Sequence, residues 1–123
     1  MANEITITLA MERRHATNLS DTHTFPSLRK QYTQTGVGQD DRKHSIGTTE
    51  ESITLTDVTT NGFVLLHNLD TANYVQWGFA TGVYGGRMKA GETAGPFRLE
   101  PGATLYLKAN TAACRVRVIA YED

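Results

Sequence analysis

Residues 51–79 read "ESITLTDVTTNGFVLLHNLDTANYVQWGF", and the punctuation of this stretch decides the fold class. Ile53 and Leu55 alternate with polar neighbours, Asn61-Gly62 breaks the run, and Phe63-Val64-Leu65-Leu66 follows as an apolar patch. Asn68-Leu69-Asp70 and Thr71-Ala72-Asn73 form a tight corner before Tyr74-Val75-Gln76-Trp77 opens the next strand. Alternation with period two marks a half-buried strand, and Asn, Asp and Gly at the breaks supply turn chemistry. Period two also sets Val75, Trp77 and Phe79 on one face and Tyr74 and Gln76 on the other. A single Trp among aliphatic neighbours is more often a core anchor than a ligand platform. The stretch is therefore read as the central hairpin of a β-sandwich, with Phe63, Leu65 and Trp77 pointing inward.

The same rhythm runs outward in both directions. "EITITLAM" sets Ile5, Ile7, Leu9 and Met11 on one face, and "TLYLKA" does so with Leu105, Leu107 and Ala109. "CRVRVIAYED" opposes Cys114, Val116, Val118 and Ala120 to Arg115, Arg117, Ile119 and Tyr121. Gly85-Gly86, Ala90-Gly91 and Pro101-Gly102 fall between these runs as corners. No window of a dozen residues carries a helical period. Short strands at such spacing predict an all-β, antiparallel, jelly-roll-like sandwich of about eight strands, with Leu105, Val116 and Val118 among its core anchors.

Composition bounds the rest. A chain of 123 residues is expected to form one domain over 1–123, and such a length buries about two-thirds of the surface its unfolded form exposes. Residues 1–61 hold six basic and eight acidic side chains, residues 62–123 six and five, for a net charge of −1. Neither half is a basic stripe able to displace counterions from nucleic acid, so no direct nucleic-acid partner is expected. No apolar run approaches the ~20 residues of a membrane helix, and the early Glu4 argues against a signal peptide. A lone cysteine, Cys114, excludes an internal disulfide and fits a reducing compartment.

Residues 15–51 differ in character, being rich in Thr, Gln, Ser and Asp. A stretch this polar cannot offset its own ordering entropy by burial. "LRKQYTQT" and "KHSIGTT" could each pair along a sheet edge, and the remainder over 15–45 reads as an extended arm or long loop. Its isolated apolar residues, Leu19, Phe25, Leu28 and Tyr32, suit pegs set into a neighbouring subunit, which makes a homo-oligomer the expected state.

No catalytic constellation emerges. His15, His23, His44 and His67 lack metal-ligand spacing, and His67 in "FVLLHNL" suits a core or interface histidine bonded to backbone. "GPFRLEPGATLYLKAN" has the glycines and proline of a cupin motif without its histidine. Cys114 opens a strand in an apolar phase and reads as a buried thiol. No G-x-S-x-G occurs, and Gly82, Gly85 and Gly86 precede no helix or Lys-Ser/Thr, so no phosphate loop forms. Asp70 and Glu92 are carboxylates whose pairing across a cleft spacing does not reveal. Neither an enzymatic activity nor a cofactor is expected.

One resemblance gives direction. Asn68 to Val75 ("NLDTANYV"), Lys89 to Glu92, Pro96 to Leu99, the Pro101-Gly102 turn, Thr104 to Ala109 and Arg115 to Glu122 together resemble a group of small tailed-bacteriophage proteins. The likeness covers roughly residues 46–123. It implies a virion structural component, either a head decoration or minor capsid protein or a tail or connector subunit. Such a component is made in the host bacterial cytoplasm and contacts other virion proteins. Near-zero net charge permits dense packing of copies. The alternative from another class is a carbohydrate-binding module of a phage adsorption apparatus, for which the aromatics Tyr74, Trp77, Phe79 and Tyr84 would have to be exposed. A hydrolase ranks third.

Overall fold

The computed structural model describes residues 3–14, 16, 17, 20 and 22–123, and shows an all-β chain in two compact units, Met1–Gln34 and Thr35–Asp123. The first unit is a two-stranded antiparallel hairpin of β1 (Asn3–Arg13) and β2 (His23–Gln34). The second holds eight strands: β3 (Gln39–Ile46), β4 (Glu51–Ile53), β5 (Asn61–Asn68), β6 (Val75–Gly78), β7 (Gly86–Met88), β8 (Thr93–Arg98), β9 (Leu105–Ala109) and β10 (Cys114–Glu122).

These eight form two antiparallel sheets, ordered β3-β10-β5-β8 and β4-β9-β6-β7. The pairs β3·β10, β4·β9, β5·β8 and β6·β7 are nested, so the segment pairs first with last and inward to its middle. That nesting is the jelly-roll topology. Both sheets contribute to one core. Val64, Leu66, Val116 and Val118 come from the first, and Val75, Met88, Leu105 and Leu107 from the second, all at most 1% exposed.

Two expectations change here. Phe63 and Leu65 do not enter the core. In β5 the buried positions are Gly62, Val64, Leu66 and Asn68, while Phe63, Leu65 and His67 lie half-buried on the opposite face. Both phases of "FVLL" are apolar, so period two leaves the phase open there, and Asn68 decides it. Its side chain is fully buried, with Nδ2 donating to Asn73 O at 2.9 Å, Met88 O at 3.1 Å and Lys89 O at 3.2 Å, and Oδ1 accepting from Asp70 N at 3.0 Å. Pointing Asn68 outward would take the donor from Met88 O, whose bond is buried, and the partners from three part-buried groups, which costs more than turning Phe63 out.

The second change concerns residues 3–46. The strand expected within "EITITLAM" belongs to the hairpin and not to the sandwich, while the edge pairing expected of "KHSIGTT" is made by β3, which starts earlier, at Gln39, inside the segment read as an arm. Alternation marks a strand but does not name its partner. Register names it, since β10 pairs with β3 from Cys114↔Ile46 to Tyr121↔Gln39 and buries Ile46 at 1% exposure.

A bulge in β8 marks where the first sheet bends. Between the Val64↔Phe97 and Leu66↔Ala94 pairs, β8 has one residue more than β5. Gly95 takes the bulge at φ +91, a conformation that L side chains rarely adopt, and a Cβ there would come within 2.8 Å of Val64 O.

Candidate functional site

The hairpin carries the most pronounced exposed apolar surface among the described residues. Its register sets Ile5 opposite Tyr32, Ile7 opposite Lys30, Leu9 opposite Leu28 and Met11 opposite Phe25. Residues directly opposite share a face, so seven apolar side chains line one side of the ribbon. The other side carries Glu4/Thr33, Thr6/Gln31, Thr8/Arg29 and Glu12/Thr24. Between Leu9 and Met11 the register shifts, with the extra β2 residue falling at Pro26-Ser27. Proline suits such a bulge because it has no N–H to give the ladder.

This apolar face opens toward the hairpin tip. Ile5 is buried and Ile7 half-buried, but Leu9 is 40% exposed, Met11 69%, Phe25 39%, Leu28 37% and Tyr32 38%. At about 3.3 Å per residue the eleven-residue β1 spans about 36 Å. A two-stranded hairpin is marginal in water without something over its apolar face. Both outer edges also lack a strand partner among the described residues, leaving backbone donors and acceptors for another chain. Of the expected pegs, Phe25, Leu28 and Tyr32 lie on this face, and Leu19 falls outside the described residues. Leu9 and Met11 complete the surface. Alternation sets them on one face of a half-buried strand, and only the pairing with β2 joins them to Phe25 and Leu28.

The outer face of the first sheet holds a second, more polar surface. Phe63, Leu65, Ile119 and Tyr121 are half-buried there. The Arg98 guanidinium lies 4.5 Å from the Phe63 ring centroid and pairs with Asp123 at 2.7 Å. Arg117 grips Asp41 through two bonds of 2.8 and 2.6 Å, which hold that carboxyl below its usual range. His67 Nε2 lies 3.2 Å from Gly91 O.

Trp77 is half-buried against the core, stacked on Phe97 at 5.6 Å between centroids and edge-on to Phe79 at 5.8 Å. Its indole lies over Gly86, where a Cβ would approach within 2.6 Å of the ring. It packs against the core and is not a free platform. Phe79 is 44% exposed and Val83 63%. Tyr84 donates its hydroxyl proton to the Glu50 carboxylate, which also accepts from Gly82 N at 2.7 Å. The pair pushes Tyr84 up to about 12 and Glu50 down.

Other carboxylates fasten turns. Asp70 Oδ2 accepts from Asn73 N at 2.6 Å and Ala72 N at 3.0 Å, lowering its pKa, and Glu92 Oε1 accepts from Lys89 N at 2.7 Å. Glu122 accepts from Gly38 N at 2.8 Å and Thr59 N at 3.1 Å, which lowers it too. Buried Asp40 accepts from Thr56 N at 2.9 Å, while Arg42 Nε lies 3.0 Å from its other oxygen as a charge contact without hydrogen-bond geometry. Cys114 is buried at the start of β10, and desolvation pushes its thiol up, keeping it protonated. Among the described residues no three His, Cys, Asp and Glu side chains converge as a metal site. Alternation shows Asn61 and Asn68 only as turn residues and gives no role to Glu50 or Glu122, because each has at least one bonding partner twenty or more residues away.

No family model, no curated protein and no solved structure matches the chain.

Proposed function

We propose that the chain is a non-enzymatic structural subunit of a tailed-bacteriophage particle, joined to neighbouring copies and other virion proteins through its N-terminal hairpin. A head decoration or minor capsid role and a tail or connector role share this chemistry. The observation that carries the reading is the amphipathic hairpin, whose Leu9, Met11, Phe25, Leu28 and Tyr32 remain 37–69% exposed. Isolated exposed apolar residues are ordinary, whereas a contiguous stripe of them on a ribbon with open edges marks an interaction surface.

Three features support the reading. The resemblance over residues 46–123 falls within the jelly-roll unit. The net charge of −1 leaves little repulsion between copies. The carboxylates of Asp70, Glu92 and Glu122 brace turns, which suits a rigid building block. The test is mass spectrometry of purified particles separated into heads and tails. Peptides of this chain at stoichiometric abundance in one fraction are expected, and their absence from both fractions of intact particles would overturn the role.

A further inference from the structure

The outer face of the second sheet carries a polar row. On it, Gln76 of β6 stands between Lys108 of β9 and Arg87 of β7 as direct cross-strand neighbours. An open cleft of about 330 Å³ beside this row is lined by Gln76, Tyr84, Gly85, Gly86 and Arg87.

The cleft is built from fixed parts. Tyr84 is tied through its hydroxyl to Glu50, and Glu50 is itself tied to Gly82 N, so the phenol ring is a set wall. Gly86 lies against the Trp77 indole, which backs the floor. At Gly85 a Cβ would meet nothing within 4 Å, so the space above the floor is open. The Arg87 guanidinium rests over the Tyr74 ring, 4.6 Å from its centroid, which orients its plane.

Two of its side chains keep their hydrogen-bonding capacity. Neither the Gln76 amide nor the Arg87 guanidinium has a hydrogen-bond or ion-pair partner among the described residues. Both are planar, two-headed groups that match a pair of adjacent oxygens. The Glu50 carboxylate, held ionised by Tyr84 and Gly82 N, offsets Lys108, and Arg87 leaves the row with a net positive charge. A pocket for a cofactor or lipid is lined predominantly by apolar groups. This one offers a tyrosine face, one cation and an amide, with Lys108 on the next strand beyond Gln76.

We infer that the cleft between Gln76, Tyr84 and Arg87 binds an acidic saccharide, a pyranose unit bearing a carboxylate. Tyr84 packs on the sugar's C–H face, Gln76 bridges adjacent hydroxyls, and Arg87 receives the carboxylate. Every residue of this site belongs to the unit Thr35–Asp123.

The test is a backbone and side-chain amide NMR titration of the full chain with sialyllactose, trigalacturonate and a glucuronate oligosaccharide, set against lactose and inorganic phosphate. At least one acidic sugar is expected to move Gly85, Gly86, Arg87 and the Gln76 side-chain amide saturably, with lactose and phosphate leaving them in place. Arg87→Ala and Gln76→Ala each weaken that binding by roughly tenfold, and Lys43→Ala on the other sheet leaves it unchanged. Unaltered resonances of Val116 and Leu107 report that each variant is folded. The inference is overturned if no acidic sugar of the panel moves these resonances. It is equally overturned if lactose moves them as far, or if phosphate alone does, which would mark a bare cationic patch.

Discussion

Replacing Asn68 by Ala tests the device that fixes the phase of β5. The amide is fully buried and donates to three carbonyls, those of Asn73, Met88 and Lys89, while its oxygen accepts from Asp70 N. Truncation strips the Met88 carbonyl, in a buried bond, of this donor, and leaves the other groups partly wetted. One such orphaned group costs about 1–3 kcal/mol, and the weaker losses beside it bring the expected cost to roughly 2–4 kcal/mol. Asn61 is the internal comparison. Its Nδ2 also meets three carbonyls, those of Glu100, Pro101 and Ala103, at 3.1–3.2 Å, but two of those bonds are exposed. Water can replace them, so Asn61→Ala is expected to cost less, about 0.5–1.5 kcal/mol. Urea unfolding followed by Trp77 fluorescence reads both. Equal midpoints for the two variants, or an Asn68→Ala loss within about 0.5 kcal/mol, would refute the argument that a buried amide sets the register.

Trp77→Ala removes a half-buried indole stacked on Phe97 and is expected to destabilise by about 2–4 kcal/mol, toward the low side of values for buried aromatics; acrylamide should quench Trp77 only weakly in the native protein, and strong quenching would revive it as a platform. Glu122, Glu50 and Asp70 all have folded pKa values below their ordinary ones, held there by Gly38 N–H, the Tyr84 hydroxyl and Asn73 N–H respectively. Groups so depressed contribute stability that is present above the ordinary carboxylate range and lost as pH falls through the lowered values, so urea midpoints should drop below about pH 4. Glu122→Gln should flatten part of that drop, and a profile identical to wild type would remove Glu122 from the explanation. Gly86→Ala drives a methyl into the Trp77 ring, so it should lower the melting temperature and shift Trp77 emission, whereas an unchanged spectrum would contradict the close approach.

The architecture was legible where one phase of a strand is apolar and the other polar. β9 and β10 are such strands, and Leu105, Val116 and Val118 lie in the core at 0–1% exposure. It was illegible in "FVLL", where both phases are apolar and the choice rests on Asn68, whose amide reaches Met88 on β7 and Lys89 just beyond it. The polar run before residue 46 was ambiguous for another reason. A strand such as Gln39–Ile46 buries only Asp40 and Ile46, too little alternation to announce itself. The pegs Phe25, Leu28 and Tyr32 were visible as isolated apolar residues, yet their alliance with Leu9 and Met11 depends on the β1–β2 register and its bulge at Pro26-Ser27. The cleft of Gln76, Tyr84 and Arg87 was hidden in the same way, since Tyr84 is set by Glu50 from a distant loop.

Sedimentation equilibrium on the full chain and on its Leu9→Asp/Leu28→Asp variant tests the assembly role most directly. Leu9 and Leu28 face each other across the hairpin at 40% and 37% exposure, and two carboxylates there would have to be desolvated in any interface that covers them. The expected result is a wild-type chain that self-associates at micromolar concentration, and a variant that sediments as a monomer with the same β-type circular dichroism and the same unfolding of its jelly roll. A wild-type chain that stays monomeric, or a variant that associates as strongly as wild type, would contradict assembly through the hairpin face.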